Sequence, residues 1–74
     1  MAKEIGNRAR VGSRMITSVG YDEPSEVLEI QFSNGAIYQY TDVPKDVHKS
    51  LMNAESVGKY FHANVKDSYD GQKL

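Results

Sequence analysis

The chain has 74 residues, of which 39% are hydrophobic and 26% are charged, so it can bury one small core and no more. Its formal net charge of −1 excludes a protein that coats nucleic acid through a uniformly basic surface. Without cysteine there is no disulfide and no thiolate nucleophile, which is typical of a protein in the reducing cytoplasm. No apolar run approaches the roughly 20 residues of a membrane span, and we expect neither a membrane segment nor a signal peptide.

The N-terminal residues are more basic than the rest of the chain. The first 14 positions contain four basic residues, Lys3, Arg8, Arg10 and Arg14, and a single acidic residue, Glu4. Residues 1–12 also lack an apolar period, so they are predicted to form a flexible basic arm. We place one domain at residues 13–66 and expect the polar residues 67–74 to fray.

The first hairpin is predicted from two alternating segments on either side of Pro24. Residues 15–21 and 27–32 are rich in β-branched and aromatic side chains, and residues 22–25 have turn chemistry. A four-residue loop at 22–25 gathers the apolar side chains on one face. In that register Val19 opposes Leu28, Thr17 opposes Ile30, and Met15 opposes Phe32.

The second hairpin, in the segment "FSNGAIYQY", has two possible registers that send Tyr38 and Tyr40 to opposite faces. A two-residue turn at Asn34-Gly35 leaves both tyrosines on the outer face as a surface platform. A three-residue loop at 33–35 pairs Ile30 with Tyr38 and Leu28 with Tyr40, which places both rings in the core. We favour the three-residue loop because it collects more apolar side chains on one face.

The segment after the sheet predicts two helices. Pro44 suits the start of the first helix, and Val43, Val47 and Leu51 repeat at a spacing of four residues. Ser56 is a candidate N-cap for a shorter second helix. The fold class is therefore α+β, a three-stranded antiparallel meander covered on one face by a helix and a short second helix.

In this order and spacing the residues resemble the KTSC domain family. The matching segments lie between residues 13 and 65: "SVGYD", "LEIQF", Gly35, "YQY", "VPKDV" and "GKYF". Such domains occur alone in bacterial and phage proteins and at the C-terminus of some lysyl-tRNA synthetases. The resemblance thus implies an accessory module of unknown function, with RNA suggested as a partner. One departure is the tail. Family members often end in a basic and aromatic tail, whereas in this chain Asp67 and Asp70 offset the charges of Lys66 and Lys73.

Catalytic and metal chemistry find little support in the residues. His48 and His62 are 14 positions apart, and each has a structural explanation on a helix. We therefore expect no enzyme activity, no metal and no small-molecule cofactor.

Binding is the better hypothesis, because RNA-binding sheets stack bases on aromatic rings beside basic side chains. The partner is predicted to be RNA or a ribonucleoprotein, and the alternative is another protein that docks on a sheet edge or a helix face. The candidate binding residues are Tyr38, Tyr40, Arg8, Arg10, Arg14, Lys59, Tyr60, His62 and Lys66.

Overall fold

In the computed structural model, which describes residues 8–74, an antiparallel five-stranded sheet packs on one side against two helices. The elements in chain order are β1 (Ala9–Arg10), β2 (Ile16–Asp22), β3 (Val27–Phe32), β4 (Ile37–Tyr40), α1 (Lys45–Met52), α2 (Val57–Asn64) and β5 (Gly71–Lys73). The strands lie side by side in that same order. The α+β class is confirmed, whereas the predicted count of three strands is wrong.

Two short edge strands account for the difference. β1 pairs with β2, with Ala9 opposite Val19, and β5 pairs with β4, with Gly71 opposite Tyr40. Both edge strands are exposed throughout and too short to show an alternating pattern, so only their backbone pairing defines them. The predicted arm and the predicted frayed tail therefore each contribute a strand, although residues 1–7 of the arm lie outside the described residues.

The first hairpin has a different register from the predicted one. Val19 pairs with Ile30 and Tyr21 with Leu28, so the loop spans residues 23–26 and Glu26 adopts a positive φ of 56°. The pairing shifts by one residue between Ile16 and Ser18, which is a β-bulge. This extra residue turns Ile16 into the core and leaves Met15, predicted to face inward, 45% exposed.

The second hairpin adopts the three-residue loop. The Phe32 N–H donates to the Ala36 carbonyl at 2.8 Å, and Gly35 takes the positive φ of 91° that this loop requires. Ile30 therefore pairs with Tyr38 and Leu28 with Tyr40, as we favoured from the sequence.

The helices cover the inner face of the sheet, the face that carries Leu28 and Ile30. The Ser56 hydroxyl caps α2 by accepting from the Lys59 N–H at 3.2 Å, as predicted. Val43 and Leu51 of the predicted stripe are fully buried. The whole core consists of apolar side chains from both layers, namely Ile16, Val19, Leu28, Ile30, Tyr40, Val43, Leu51, Phe61 and Val65.

Candidate functional site

An open groove of about 390 Å³ lies between the β3–β4 hairpin, α2 and β5. Most of its surface is apolar, and its basic side chains come from α2, from the segment after α2, and from β5. Its lining residues are Met15, Phe32, Asn34, Ala36, Tyr38, Tyr40, Phe61, His62, Lys66 and Lys73. This volume falls within the range of small-ligand sites, about 300–1,000 Å³.

Four aromatic rings in mutual contact form the floor of the groove. The Phe61 ring meets the Phe32 and Tyr40 rings edge-on, with centroids 5.5 Å and 5.4 Å apart. Phe32 also meets Tyr38 edge-on at 5.6 Å, and the Tyr38 and Tyr40 rings are stacked with centroids 6.4 Å apart. Each ring is thus fixed by its neighbours, in geometries that aromatic pairs prefer.

The two tyrosines are not equally accessible. Tyr40 is only 5% exposed and belongs to the core, whereas Tyr38 is half-buried. Burial, and to a smaller degree the neighbouring Tyr38, raises the pKa of the Tyr40 phenol above its usual 10. The phenol of Tyr40 is therefore neutral at physiological pH, and Tyr38 is the tyrosine with more ring surface open to a ligand.

The cationic side chains reach the groove from two directions. Lys73 lies opposite Tyr38 in the β4–β5 pair, so its side chain shares the inner face with that ring. His62 is exposed in the last turn of α2, and Lys66 follows that helix shortly afterwards. Among the described residues no carboxylate lines the groove, which makes it suited to an anionic ligand with an apolar or aromatic part.

Four of the nine predicted binding residues meet in this groove, namely Tyr38, Tyr40, His62 and Lys66. Two others, Arg14 and Lys59, line a neighbouring depression of about 340 Å³ that includes Met15 as well. Tyr60 is half-buried and packs against the core.

The remaining two predicted residues, Arg8 and Arg10, lie on the outer face of the sheet, away from the helices. Arg8 forms an ion pair with Glu29, with 2.5 Å between Nη1 and Oε2, and its Nε donates to Ser18 Oγ at 3.1 Å. Arg10 pairs with Ser18 across β1 and β2 and is exposed. The arginines of the predicted arm are thus placed on the side opposite to the groove.

Glu29 is fully buried, although its position in β3 faces away from the helices. Besides the ion pair with Arg8, its Oε1 accepts from Gln39 Nε2 at 2.9 Å. A second hydrogen bond of this outer face runs from Ser18 Oγ to Gln31 Oε1 at 3.1 Å. Because a buried charge is tolerated only with such partners, these side chains have a structural role in holding β1, β2, β3 and β4 together.

The groove lies at one end of β3, and His48 lies at the other end, beside the loop that joins β2 to β3. Its ring stacks on Tyr21 with centroids 4.6 Å apart, and the Tyr21 hydroxyl donates to the Val43 carbonyl at 2.6 Å. Burial lowers the pKa of His48 below its usual 6.5. From the sequence we expect His48 at the solvent edge of its helix, whereas the structure shows its ring half-buried against Tyr21.

The sequence reasoning missed several groove residues. The sequence predicts that Met15 and Phe32 share the apolar face of the first hairpin and that Lys73 lies in a frayed tail. Gly71 carries the signal that could have revealed β5, because a small residue opposite a large ring allows an edge strand to lie flat against that ring. A Cβ at Gly71 would lie 2.9 Å from Tyr40 Cδ2 and closer still to Cε2, so the fit requires glycine.

Two further properties concern the described residues as a whole. Residues 8–74 contain no group of three histidine or carboxylate side chains arranged to hold a metal ion. In the same region neither helix is long and apolar enough to cross a membrane.

These features define a small α+β domain with an aromatic groove, rimmed by basic side chains, between its second helix and its sheet. The family model described as "KTSC domain" matches residues 12–69, so the chain belongs to the KTSC domain family. The crystal structure of a KTSC domain protein from Yersinia pestis has 38% sequence identity and a TM-score of 0.89. That similarity covers 92% of this chain and 96% of the Yersinia chain.

Relatives of two kinds share this sequence. An uncharacterised protein from Stutzerimonas stutzeri is 37% identical over 62 residues, which cover 84% of this chain and 87% of the relative. A lysine–tRNA ligase from a Nostoc species is 36% identical over 59 residues, which cover 80% of this chain but only 10% of the ligase. The domain thus occurs both as most of a small protein and as a minor part of a much larger one.

Proposed function

We propose that this domain is an accessory binding module whose groove binds single-stranded RNA. The observation that carries this proposal is the combination of a fixed aromatic floor with three basic side chains and no carboxylate among the described lining residues. Nucleobases stack on aromatic rings, and their phosphates require neutralisation by cations, so both parts of the groove match both parts of a nucleotide.

The two parts of the groove have different roles in this proposal. Tyr38 is half-buried where Tyr40 is buried, and a base stacked on the Tyr38 ring gains about 1–3 kcal/mol. Lys66 and Lys73 neutralise the phosphates, and His62 adds a donor at the same rim. Because stacking is tolerant of base identity, we expect weak sequence preference. Because the phosphates are neutralised by lysines, we expect the affinity to depend strongly on salt.

The relatives support an RNA ligand indirectly. Lysine–tRNA ligases carry a matching segment, and the RNA in their name is the class of molecule that this groove fits. Residues 8–74 contain no group of three histidine or carboxylate side chains that could hold a metal ion, and we propose binding rather than catalysis. A cytoplasmic location, predicted from the composition, is part of the same proposal.

An NMR titration tests the proposal directly. Labelled protein is titrated with uridine tetranucleotide at low and at moderate salt. We expect salt-sensitive shifts of the amides around Tyr38, His62 and Lys73, and none in α1. The absence of shifts at either salt would refute RNA binding by this groove.

Charge variants with a matched control separate the groove from general electrostatic attraction. The double variant K66Q/K73Q removes two groove cations, and K45Q/K49Q removes two exposed cations from α1. Each lost phosphate contact lowers the slope of log affinity against log salt by about 0.7 for single strands. We expect K66Q/K73Q to flatten this slope and K45Q/K49Q to change it much less. Equal effects of both variants would contradict a localised site.

The stacking role of Tyr38 calls for a different substitution. Tyr38→Leu keeps an apolar side chain but removes the ring, and a loss of 1–3 kcal/mol corresponds to roughly 5- to 150-fold weaker binding. Unchanged affinity would show that no base stacks there.

Protein binding remains the alternative, but the five-stranded sheet changes which strand edges a partner could pair with. The sheet edges expected from a three-stranded meander, on β2 and β4, are covered by β1 and β5. A partner strand would have to pair with these two short strands instead. Titration with hexaglutamate distinguishes the ligands, because groove shifts with this peptide but not with RNA would indicate an acidic protein segment.

A further inference from the structure

Beside the groove, the depression lined by Arg14 and Lys59 adds a second cationic surface. The two cavities share one residue, Met15, whose side chain is 45% exposed and lies on the border between them. They are therefore adjacent on the protein surface, with the Met15 side chain between them. A flexible, apolar methionine side chain is suited to contact a sugar or a base that crosses this border.

At the depression, the segment before β2 packs closely against α2. Ser13 Oγ accepts from the backbone N–H groups of Met15 and Ile16 at 3.2 Å and 3.3 Å. On the other side Gly58 is buried, and a Cβ there would lie 3.1 Å from the same Ser13 Oγ. The backbone segments that carry Arg14 and Lys59 thus lie close together, while both side chains are exposed.

We propose that the groove and this depression form one site for at least two consecutive nucleotides of single-stranded RNA. One base stacks in the groove, the chain crosses Met15, and the phosphate of the adjoining nucleotide is held between Arg14 and Lys59. This inference rests on the proposed RNA-binding function and adds the length and the path of the bound strand.

Glu55 also lines the depression, as its one carboxylate among the described lining residues. A phosphate beside Arg14 and Lys59 would be repelled by this side chain, whereas a nucleotide confined to the groove would not. Removal of the Glu55 charge should therefore strengthen binding only for ligands that extend beyond Met15. Such a gain is difficult to attribute to damage of the fold.

The experiment compares uridine monophosphate with uridine tetranucleotide on the unaltered protein and on three variants. R14Q/K59Q removes the two cations, E55Q removes the carboxylate, and R10Q is the control on the outer face of the sheet. With R14Q/K59Q we expect a tetranucleotide salt slope lower by about 0.7, the value for one phosphate. We expect E55Q to increase tetranucleotide affinity several-fold, R10Q to leave it nearly unchanged, and all variants to bind the monophosphate alike.

The outcomes separate this inference from the function on which it rests. If neither ligand shifts groove amides of the unaltered protein, RNA binding itself fails. If both bind but R14Q/K59Q and E55Q leave the tetranucleotide unaffected, or change both ligands equally, the continuous site is overturned while RNA binding in the groove stands.

Discussion

The substitution Gly71→Ala tests how β5 is attached to the sheet. The added Cβ would lie 2.9 Å from Tyr40 Cδ2 and 3.0 Å from Cζ, closer than carbon atoms of real side chains approach. The Tyr40 ring cannot move away freely, because it is 5% exposed and meets Phe61 edge-on at 5.4 Å. Overpacking of this kind costs about 1–3 kcal/mol.

Release of β5 limits the cost of this substitution, since the strand has three exposed residues. We therefore expect a loss towards the lower end of the range, with Tm reduced by roughly 4–8 °C per kcal/mol in a domain of this size. The released strand takes Lys73 away from the groove, so we expect the proposed RNA binding to weaken as well.

Thermal unfolding and amide hydrogen exchange measure the two effects. Gln72→Ala is the matched control, because Gln72 is exposed and pairs with Gln39 on the outer face. In G71A we expect a lower Tm and faster exchange of the Leu74 amide, which donates to the Ile37 carbonyl at 2.8 Å, and in Q72A little change in either. A G71A protein with unchanged Tm and protected β5 amides would refute the close fit of Gly71 against Tyr40.

Three further variants test other contacts. Arg8→Met removes the guanidinium that pairs with buried Glu29. In urea unfolding we expect the free energy of unfolding to fall by about 3 kcal/mol, against at most about 0.5 kcal/mol for the control Arg10→Met. Equal losses in the two variants would contradict a structural ion pair. Because burial lowers the pKa of His48, the unfolded chain binds more protons between that lowered pKa and 6.5. Stability should thus decrease as the pH falls below 6.5, and His48→Gln should weaken this decrease, whereas identical profiles would exclude His48 as its source. Ser56→Ala removes the cap of α2 and should cost about 1 kcal/mol in the same unfolding assay, while no loss would show that the cap is dispensable.

The central part of the fold could be predicted because side-chain patterns specify it. The collection of apolar side chains on one face selects the β3–β4 register, and the spacing of Val47 and Leu51 marks the face of α1 that packs on the core. In each case many apolar side chains share one arrangement, and a shift by one residue would expose all of them.

The parts that could not be predicted depend on backbone contacts and on single residues. The bulge near Thr17 changes which face Met15 and Ile16 occupy, and no alternation in the sequence marks it. β1 and β5 bury no side chain in the core, so only hydrogen bonds to existing strands reveal them. The bulge and β5 both affect the site, because the bulge exposes Met15 at the groove and β5 brings Lys73 to it.

The low net charge of the chain conceals a separation of charge along β3. Glu23 and Glu26 lie in the loop before this strand, and together with Asp22 and Asp46 they add to burial in raising the pKa of the Tyr21 phenol. Beyond the far end of the strand lies the groove with Lys66 and Lys73. An anionic ligand is therefore repelled from one end of the domain and attracted to the other, so a net charge of −1 is compatible with binding of RNA at a single oriented site.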